Sequence, residues 1–228
     1  VVDDLTEKKR FERERAMIKR YLPSQLVDNL PDDLSELKLR GERRQITTLF
    51  ADIRGFSTFS EVSDPEKVVE VINQYFDFAL TAVDSHEGII DKYLGDAVMA
   101  HFNTTLRPVP GHAWRAVLAS WDFKRAIQEH MQQVPVEDRL NVGIGINTGV
   151  SVVGNVGAED RMEYTAIGDA VNLAKRLQES ARGDQILLSS STYQLVKERV
   201  DVRTLAPIQV KGRQAVEQIY ELLDVRRS

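Results

Sequence analysis

Apolar residues occur along the chain in two patterns, short unbroken runs and longer stretches with a helical repeat. The run from Gln45 to Ala51 is apolar and β-branched, and it predicts a buried strand that ends before Asp52. Apolar residues then recur at helical spacing over Pro65 to Asp84, which predicts an amphipathic helix. Two further runs, Ile89 to Tyr93 and Ala97 to Phe102, are separated by a short glycine-containing turn and predict a hairpin.

The second half of the chain repeats this succession of a helix and paired strands. His112 to Met131 has a helical repeat, and the glycine-rich segments Asn141 to Thr148 and Val150 to Val156 predict a second pair of strands. The remaining predicted elements are a helix at Ala170 to Ser180, a strand at Gln185 to Leu188, a helix at Ser191 to Arg199 and strands near Val202, Val210 and Ile219. This order predicts an α+β fold, a ferredoxin-like sheet built on a βαββαβ unit with flanking helices.

A short N-terminal helix is predicted to precede this domain, within residues 1–30. Phe11, Ile18 and Gln25 are spaced by seven residues, as in a heptad repeat, but the polar residues Arg15 and Gln25 interrupt the apolar seam. Two interpretations are open. The segment is either a solvated helical linker or a parallel coiled-coil helix that carries a signal into the domain.

The domain boundaries follow from the breaks in this pattern. Pro31 ends the helical repeat, so we assign 31–43 to a connector and 44–228 to the main domain. The chain begins at Val1 and not at methionine, and we expect it to be a piece of a longer protein. Residues 4–6, Asp-Leu-Thr, resemble the end of a PAS sensor domain, which implies an upstream sensor.

The composition narrows the class of protein. The chain is 42% hydrophobic and 29% charged, has no cysteine, and has four histidines with no His-x-x-x-His pair, which argues against a zinc site. The net charge of −5 argues against nucleic-acid binding, which requires a basic surface. No apolar run approaches the roughly 20 residues that span a bilayer, and no signal segment opens the chain. We therefore expect a cytoplasmic domain, with membrane tethering through an upstream region left open.

Two aspartates are predicted where strands give way to loops. Asp52 follows the buried strand, and Asp96 lies in the hairpin turn, where an aspartate is commonly used for its backbone geometry alone. Side by side on adjacent strands, the two carboxylates would form an oxygen-only site that suits Mg²⁺. Substrate phosphates would complete the coordination of two such ions.

The segment after Asp52 supports a phosphate-binding role. Gly55, Phe56 and Ser57 are predicted to lie in a loop between strand and helix, where a glycine lets the backbone turn its amides toward a polyphosphate. The segment lacks the Walker pattern, so it is not a P-loop.

The segment from Glu163 to Leu177 contains a further polar pair. Asn172 and Arg176 are four residues apart on the predicted helix, so their side chains share one face. Simple solvation also explains such a pair, and Lys92 in the first hairpin is likewise compatible with an ordinary exposed strand lysine.

Three segments together resemble the class III nucleotidyl cyclase catalytic domain. They are Phe50 to Ser57, Asp91 to Asp96 and Tyr164 to Leu177, and the resemblance extends over roughly Arg44 to Leu222. Threonine at position 165 resembles a bacterial subgroup of adenylyl cyclases that is often bicarbonate-responsive. The resemblance therefore implies ATP as the substrate, cyclic AMP and pyrophosphate as products, and possible regulation by bicarbonate.

The resemblance also implies roles for individual side chains. Asp52, Asp96 and the Ile53 carbonyl match the ligands of two divalent cations, Mg²⁺ or Mn²⁺. Lys92 and Thr165 match the residues that bind the purine, and Asn172 matches the residue that orients the ribose. Arg176 matches the residue that stabilises charge on the α-phosphate, and Lys211 matches a contact to the terminal phosphates. At position 141, where many members have an arginine near the triphosphate, this chain has Asn141, which leaves the affinity for the triphosphate open but does not change the predicted reaction.

The choice of ATP follows from hydrogen-bonding chemistry at two of these positions. A lysine only donates, which suits adenine N1, and the Thr165 hydroxyl can accept from the 6-amino group. Guanine has a protonated N1 and a 6-carbonyl, so it would lack a good partner at Lys92.

The resemblance implies a homodimer with two equivalent sites, each formed by both chains, and an inactive monomer. Rival interpretations are a guanylyl cyclase, a diguanylate cyclase and a non-catalytic dimerisation module. The second would need a GG[DE]EF hairpin that is absent, and the third would be expected to lack some of the matched residues.

Overall fold

The computed structural model describes residues 41–158, 161–209 and 216–227. The predicted N-terminal helix, most of the connector, Val210 and Lys211 lie outside these residues, and the predicted division at 31–43 stays a prediction. Ten strands are described: β1 (Glu42–Arg54), β2 (Ile89–Leu94), β3 (Ala97–Phe102), β4 (Asn141–Ala158), β5 (Arg161–Ile167), β6 (Ile186–Ser189), β7 (Val200–Thr204), β8 (Ile208–Gln209), β9 (Val216–Glu217) and β10 (Ile219–Val225). The α-helices are α1 (Phe56–Val62), α2 (Pro65–Ser85), α3 (His112–Met131), α4 (Asp169–Ser180) and α5 (Ser190–Val196).

The main sheet has the order β2-β3-β1-β4-β6-β10-β7, with β5 paired to the outer part of β4. The first four strands in this order, β2, β3, β1 and β4, pair with one another antiparallel, α2 and α3 connect them, and β4 pairs in parallel with β6. This is the strand order and direction of two interleaved βαβ units, so the predicted α+β, ferredoxin-like fold is confirmed. The helices at 65–84, 112–131 and 170–180 and the first hairpin are found within one residue of their predicted bounds.

Two apolar layers cover the two faces of the sheet. The alternation along β1 sends Leu49 and Ala51 to the face packed by α2 and α3, where the larger core cluster lies. The same alternation sends Ile46 and Phe50 to the opposite face, against Val171 and Ala174 of α4, among other residues. Asp52 follows Phe50 by two residues, so it lies on the α4 side of the sheet.

The sequence predicted β4 wrongly as two strands. It is one strand of 18 residues, and it pairs with β1 continuously, from Glu42 opposite Val153 to Arg54 opposite Asn141. Gly149 lies inside this continuous strand. A Cβ at this position would press against Ala170 at the start of α4. The glycine therefore allows a close helix–sheet approach inside a continuous strand.

Three other boundaries also differ from expectation. The first strand runs on through Asp52 to Arg54, since its pairing with β4 continues, so Asp52 lies within the strand. The predicted loop at Phe56 and Ser57 is the first turn of α1. Residues 161–167, which carried no strand prediction, form β5 because they pair with the outer part of β4.

The predicted C-terminal helix at 191–199 consists of α5 followed by a 3₁₀ turn. None of the helices in the three described ranges has the length and apolarity that crossing a bilayer requires.

Candidate active site

Asp52 and Asp96 lie together at one end of the sheet. Ala51 is paired with Val98, so Asp52 comes next to the β2–β3 turn that contains Asp96. Burial raises the pKa of the Asp52 carboxyl; the Arg54 charge opposes this, and the nearby Asp96 charge raises the pKa further. A cation between the two carboxylates would relieve this repulsion.

The immediate surroundings of Asp52 fit such a cation. Its Oδ1 atom is buried and, among the described residues, accepts no hydrogen bond, although Arg54 Nη1 lies 3.2 Å away. The described residues contain no group of three or more His, Asp or Glu side chains placed so that they could hold a metal ion. Two carboxylates alone leave coordination positions that water and substrate phosphates would fill.

Arg54 links this end of β1 to α4. Its guanidinium hydrogen bonds to the backbone carbonyl of Gln178 in the last turns of α4. A side chain at Gly143, on the neighbouring strand, would overlap the guanidinium. The glycine therefore makes room for Arg54, which the sequence had not singled out.

Lys92 and Thr165 meet at a buried carboxylate, that of Asp91. The Thr165 hydroxyl donates to Asp91 Oδ2 over 2.5 Å, and Lys92 Nζ lies 3.5 Å from Asp91 Oδ1. Lys92 also donates to Glu163 on β5. The two residues that the sequence paired as purine readers are thus brought together within one chain.

Asp91 is almost completely buried, with its side chain 1% exposed. Its Oδ2 atom also accepts from His101 Nε2 at 2.9 Å, and His101 Nδ1 lies 3.0 Å from the Thr48 hydroxyl. Burial raises the pKa of Asp91, but the hydrogen bonds from His101 and Thr165 and the Lys92 charge outweigh it, so the net pKa is below its usual value. Asp91 is a carboxylate at neutral pH.

Asn172 and Arg176 lie on the side of α4 that faces away from the sheet. Val171 and Ala174 are buried against the sheet, whereas Asn172 is exposed and Arg176 is half-buried. Within the described part of the chain, no carboxylate pairs with the Arg176 guanidinium and no hydrogen bond is made by the Asn172 side chain.

The remaining predicted site residues lie at several different places in the chain. Gly55 has φ +83°, which favours glycine, and it caps the start of α1, where Phe56 packs against the main core. Ile53 is buried in that core through its side chain. Asn141 lies directly opposite Arg54 in the β1–β4 ladder. Lys211 lies outside the described residues.

A family model provides the decisive comparison. The model for the adenylate and guanylate cyclase catalytic domain matches residues 40–223. The chain belongs to this family.

The cyclase domain also has relatives with assigned names. It is 36% identical over 190 residues to adenylate cyclase 1 of Rhizobium meliloti (strain 1021), covering 82% of this chain and 28% of the relative. It is 32% identical over 213 residues to an adenylate cyclase of Anabaena cylindrica, covering 89% and 42%. The chain thus spans less than half the length of either relative.

Solved cyclase structures have the same fold. The adenylyl cyclase CyaB from P. aeruginosa superimposes with a TM-score of 0.78 at 36% identity, covering 83% of this chain and 98% of the other. The guanylyl cyclase Cya2 superimposes with a TM-score of 0.76 at 38% identity, covering 82% and 95%. Overall similarity therefore does not distinguish ATP from GTP as substrate, and the residues at the base site must do so.

Proposed function

We propose that this cyclase domain converts ATP into 3′,5′-cyclic AMP and pyrophosphate. The observation that carries the proposal is the pairing of Lys92 with Thr165 at Asp91, since this places a cation and a hydroxyl where one purine edge can contact both. An ammonium group donates to adenine N1, and the hydroxyl oxygen accepts from the 6-amino group. Guanine has a hydrogen on N1, so its N1–H donor would face the Lys92 ammonium, which can only donate.

The reaction requires in-line attack of the ribose 3′-oxygen on the α-phosphorus, with pyrophosphate leaving from the opposite side. Asp52, Asp96 and the Ile53 carbonyl would hold two divalent cations, Mg²⁺ or Mn²⁺. When bound, these ions lower the pKa of the 3′-hydroxyl and neutralise the triphosphate. The buried Asp52 Oδ1, which among the described residues is faced by Arg54 Nη1 at 3.2 Å but forms no hydrogen bond, supports this role.

Side chains of α4 would complete the site. Asn172 orients the ribose, and the Arg176 guanidinium, which has no carboxylate partner among the described residues, contacts the α-phosphate, where negative charge increases in the transition state. Gly55, Phe56 and Ser57 are proposed to line the triphosphate through the backbone at the start of α1, and Lys211 to contact the terminal phosphates.

The directions of these side chains support a homodimer with shared sites. Asp52 lies on the α4-facing side of its own sheet, yet Asn172 and Arg176 are on the far side of that same helix. Within one chain, the proposed metal ligand Asp52 and the α4 residues Asn172 and Arg176 therefore point in different directions. A second copy related by a twofold axis would bring the metal-binding half of one chain to the α4 residues of the other, giving two equivalent sites.

A guanylyl cyclase is the second candidate, because Cya2 is 38% identical to this chain. The donor-only Lys92 disfavours it. A cytoplasmic location, an upstream PAS-like sensor, signalling through residues 1–30 and a response to bicarbonate also stay predictions. Equal cyclic AMP output with and without bicarbonate at fixed pH would contradict the last of these.

The test is incubation of the purified chain with ATP or GTP and with Mg²⁺ or Mn²⁺, followed by chromatographic identification of the product. We expect cyclic AMP and pyrophosphate in equal amounts, with ATP strongly preferred over GTP. An Asp52→Asn, Asp96→Asn double variant is the metal-site control and should form no product. A preference for cyclic GMP would contradict the assignment.

A further inference from the structure

Asp91 is absent from the set of residues assigned to substrate, yet it contacts both proposed purine readers. It lies on β2 next to Lys92, and its Oδ2 atom accepts hydrogen bonds from Thr165 on β5 and from His101 on β3. Resting on the proposed function, we propose that Asp91 is a positioning residue that makes Thr165 a fixed hydrogen-bond acceptor and thereby selects adenine over guanine.

A hydroxyl group can both donate and accept a hydrogen bond. A threonine has one O–H hydrogen and two oxygen lone pairs, so on its own it can donate to a guanine carbonyl as readily as it can accept from an adenine amino group. Threonine at position 165 therefore does not select a base by itself. Selection requires something that determines where its single hydrogen points.

Asp91 determines this direction. An ionised carboxylate can only accept, so over the 2.5 Å contact the Thr165 hydroxyl must donate its hydrogen to Asp91. Its lone pairs are then all that Thr165 offers to a base. An adenine 6-amino group finds an acceptor there, whereas the guanine 6-carbonyl meets lone pairs and has no donor.

The rest of the network holds Asp91 in this state. His101 Nε2 must be the donor in its contact with the carboxylate, and the other ring nitrogen is held by Thr48 on β1. The side chains of Asp91 and His101 are 1% and 3% exposed, so water does not replace these partners. The Lys92 ammonium, 3.5 Å from Asp91 Oδ1, adds an opposite charge beside the carboxylate.

The test replaces the carboxylate by an isosteric amide. In Asp91→Asn the side-chain NH₂ can donate to Thr165, which frees the hydroxyl hydrogen to point at the base. Binding is measured calorimetrically with 3′-deoxy-ATP and 3′-deoxy-GTP, which cannot cyclise, alongside kcat/KM for ATP and GTP. We expect the preference for adenine to fall at least about tenfold in both measurements, a range typical of losing one buried hydrogen-bond pairing.

Two further variants separate this effect from general damage to the site. His101→Gln keeps a donor to Asp91 and the carboxylate charge, so its base preference should stay within about threefold of the unmodified protein. Thr165→Val should weaken adenine binding without improving guanine binding, because it removes the acceptor and supplies no donor. A folded Asp91→Asn protein that keeps the full preference would overturn the proposal.

A measurement on the unmodified chain covers the case in which Asp91→Asn does not fold, as judged by circular dichroism and melting. The 3′-deoxy triphosphate of 6-methoxypurine riboside keeps an unprotonated N1 but has an acceptor at position 6. It should bind at least about tenfold more weakly than 3′-deoxy-ATP, and equal binding would overturn the fixed-acceptor proposal. An unmodified protein without any preference for ATP would overturn the proposed function itself, and this inference with it.

Discussion

At the scale of single residues, the arginines of this domain differ in whether they have a partner. Arg54 contacts Asp52 and α4, and Arg203 binds Glu221 through two nitrogens, so both are held in place by the fold. Arg176 has no carboxylate partner in the described ranges. Keeping a guanidinium unpaired beside a site is consistent with a use that arises only when substrate is bound.

Arg176→Ala should lower kcat by about a thousandfold, equivalent to about 4 kcal/mol of activation free energy, and change KM by less than about threefold. The reason is that the charge met by this guanidinium increases mainly in the transition state. Steady-state kinetics with ATP provide the measurement. Lys175→Ala, which removes the neighbouring exposed cation on α4, is the matched control and should leave kcat nearly unchanged. A large rise in KM with unchanged kcat would instead assign Arg176 to ground-state binding.

At the scale of elements, helix α4 and strand β4 depend on each other. A Cβ at Gly145 in β4 would overlap the backbone of α4 at Ala174 and Gln178, and one at Gly149 would press on Ala170. Because Gly145 and Gly149 have no side chains, α4 packs close to the sheet at these two positions. This contact also determines where Asn172 and Arg176 project.

Gly145→Ala should reduce the free energy of unfolding by about 1–3 kcal/mol, because α4 must move away from β4 to admit the methyl group. The melting temperature should then fall by roughly 2–4 °C for each kcal/mol in a chain of this size. Thermal unfolding by circular dichroism measures both. Val150→Thr, at an exposed position of the same strand, should change stability by less than about 0.5 kcal/mol. Equal stability of the two variants would contradict the close contact at Gly145.

These glycines also explain what the sequence could and could not predict. Apolar periodicity located α2, α3 and the first hairpin, since each follows from local spacing. Glycine usually interrupts a strand, so β4 was split at Gly149, although there the tertiary contact with α4 requires glycine. Strand β5 has no clear local signal and depends on pairing with β4.

The candidate site likewise combines residues that the sequence indicates with residues whose contacts only the folded chain creates. The family resemblance predicts roles for Asp52, Asp96, Lys92 and Thr165, because their segments match the family residue by residue. Asp91 belongs to one of these matched segments, yet its function depends on contacts 10 and 74 residues away in the chain, with His101 and Thr165. Only the folded sheet brings such partners together.

At the scale of the whole molecule, the proposed active site belongs to two chains. Asp52→Ala and Asn172→Ala should each abolish activity alone, yet equal amounts unfolded and refolded together should recover about a quarter of the unmodified activity. Half of the randomly mixed dimers would be mixed pairs, each with one intact site of two. The coupled assay of cyclic AMP formation measures the recovery.

The control for this mixing experiment uses two changes in the same half of the site. Asp52→Ala and Asp96→Ala lie side by side in one chain, so their mixed dimers contain no intact site and should stay inactive. Two different affinity tags on the two variants, purified in succession, establish that mixed dimers have formed. No recovery from mixed dimers of Asp52→Ala and Asn172→Ala would exclude the shared arrangement.

The register of the long antiparallel ladder has one more consequence. Glu42, the first residue of the sheet, is paired with Val153, and Val153 is in turn paired with Ala166, the immediate neighbour of Thr165. Asp52 is ten residues farther along β1, about 33 Å away at the rise of an extended strand. Lys92, the other proposed purine reader, is paired with Met99, which is paired with Phe50, two residues before Asp52. The contacts that would hold the base therefore extend along most of β1, and a shift of this strand along its own axis should change nucleotide affinity and ion coordination together.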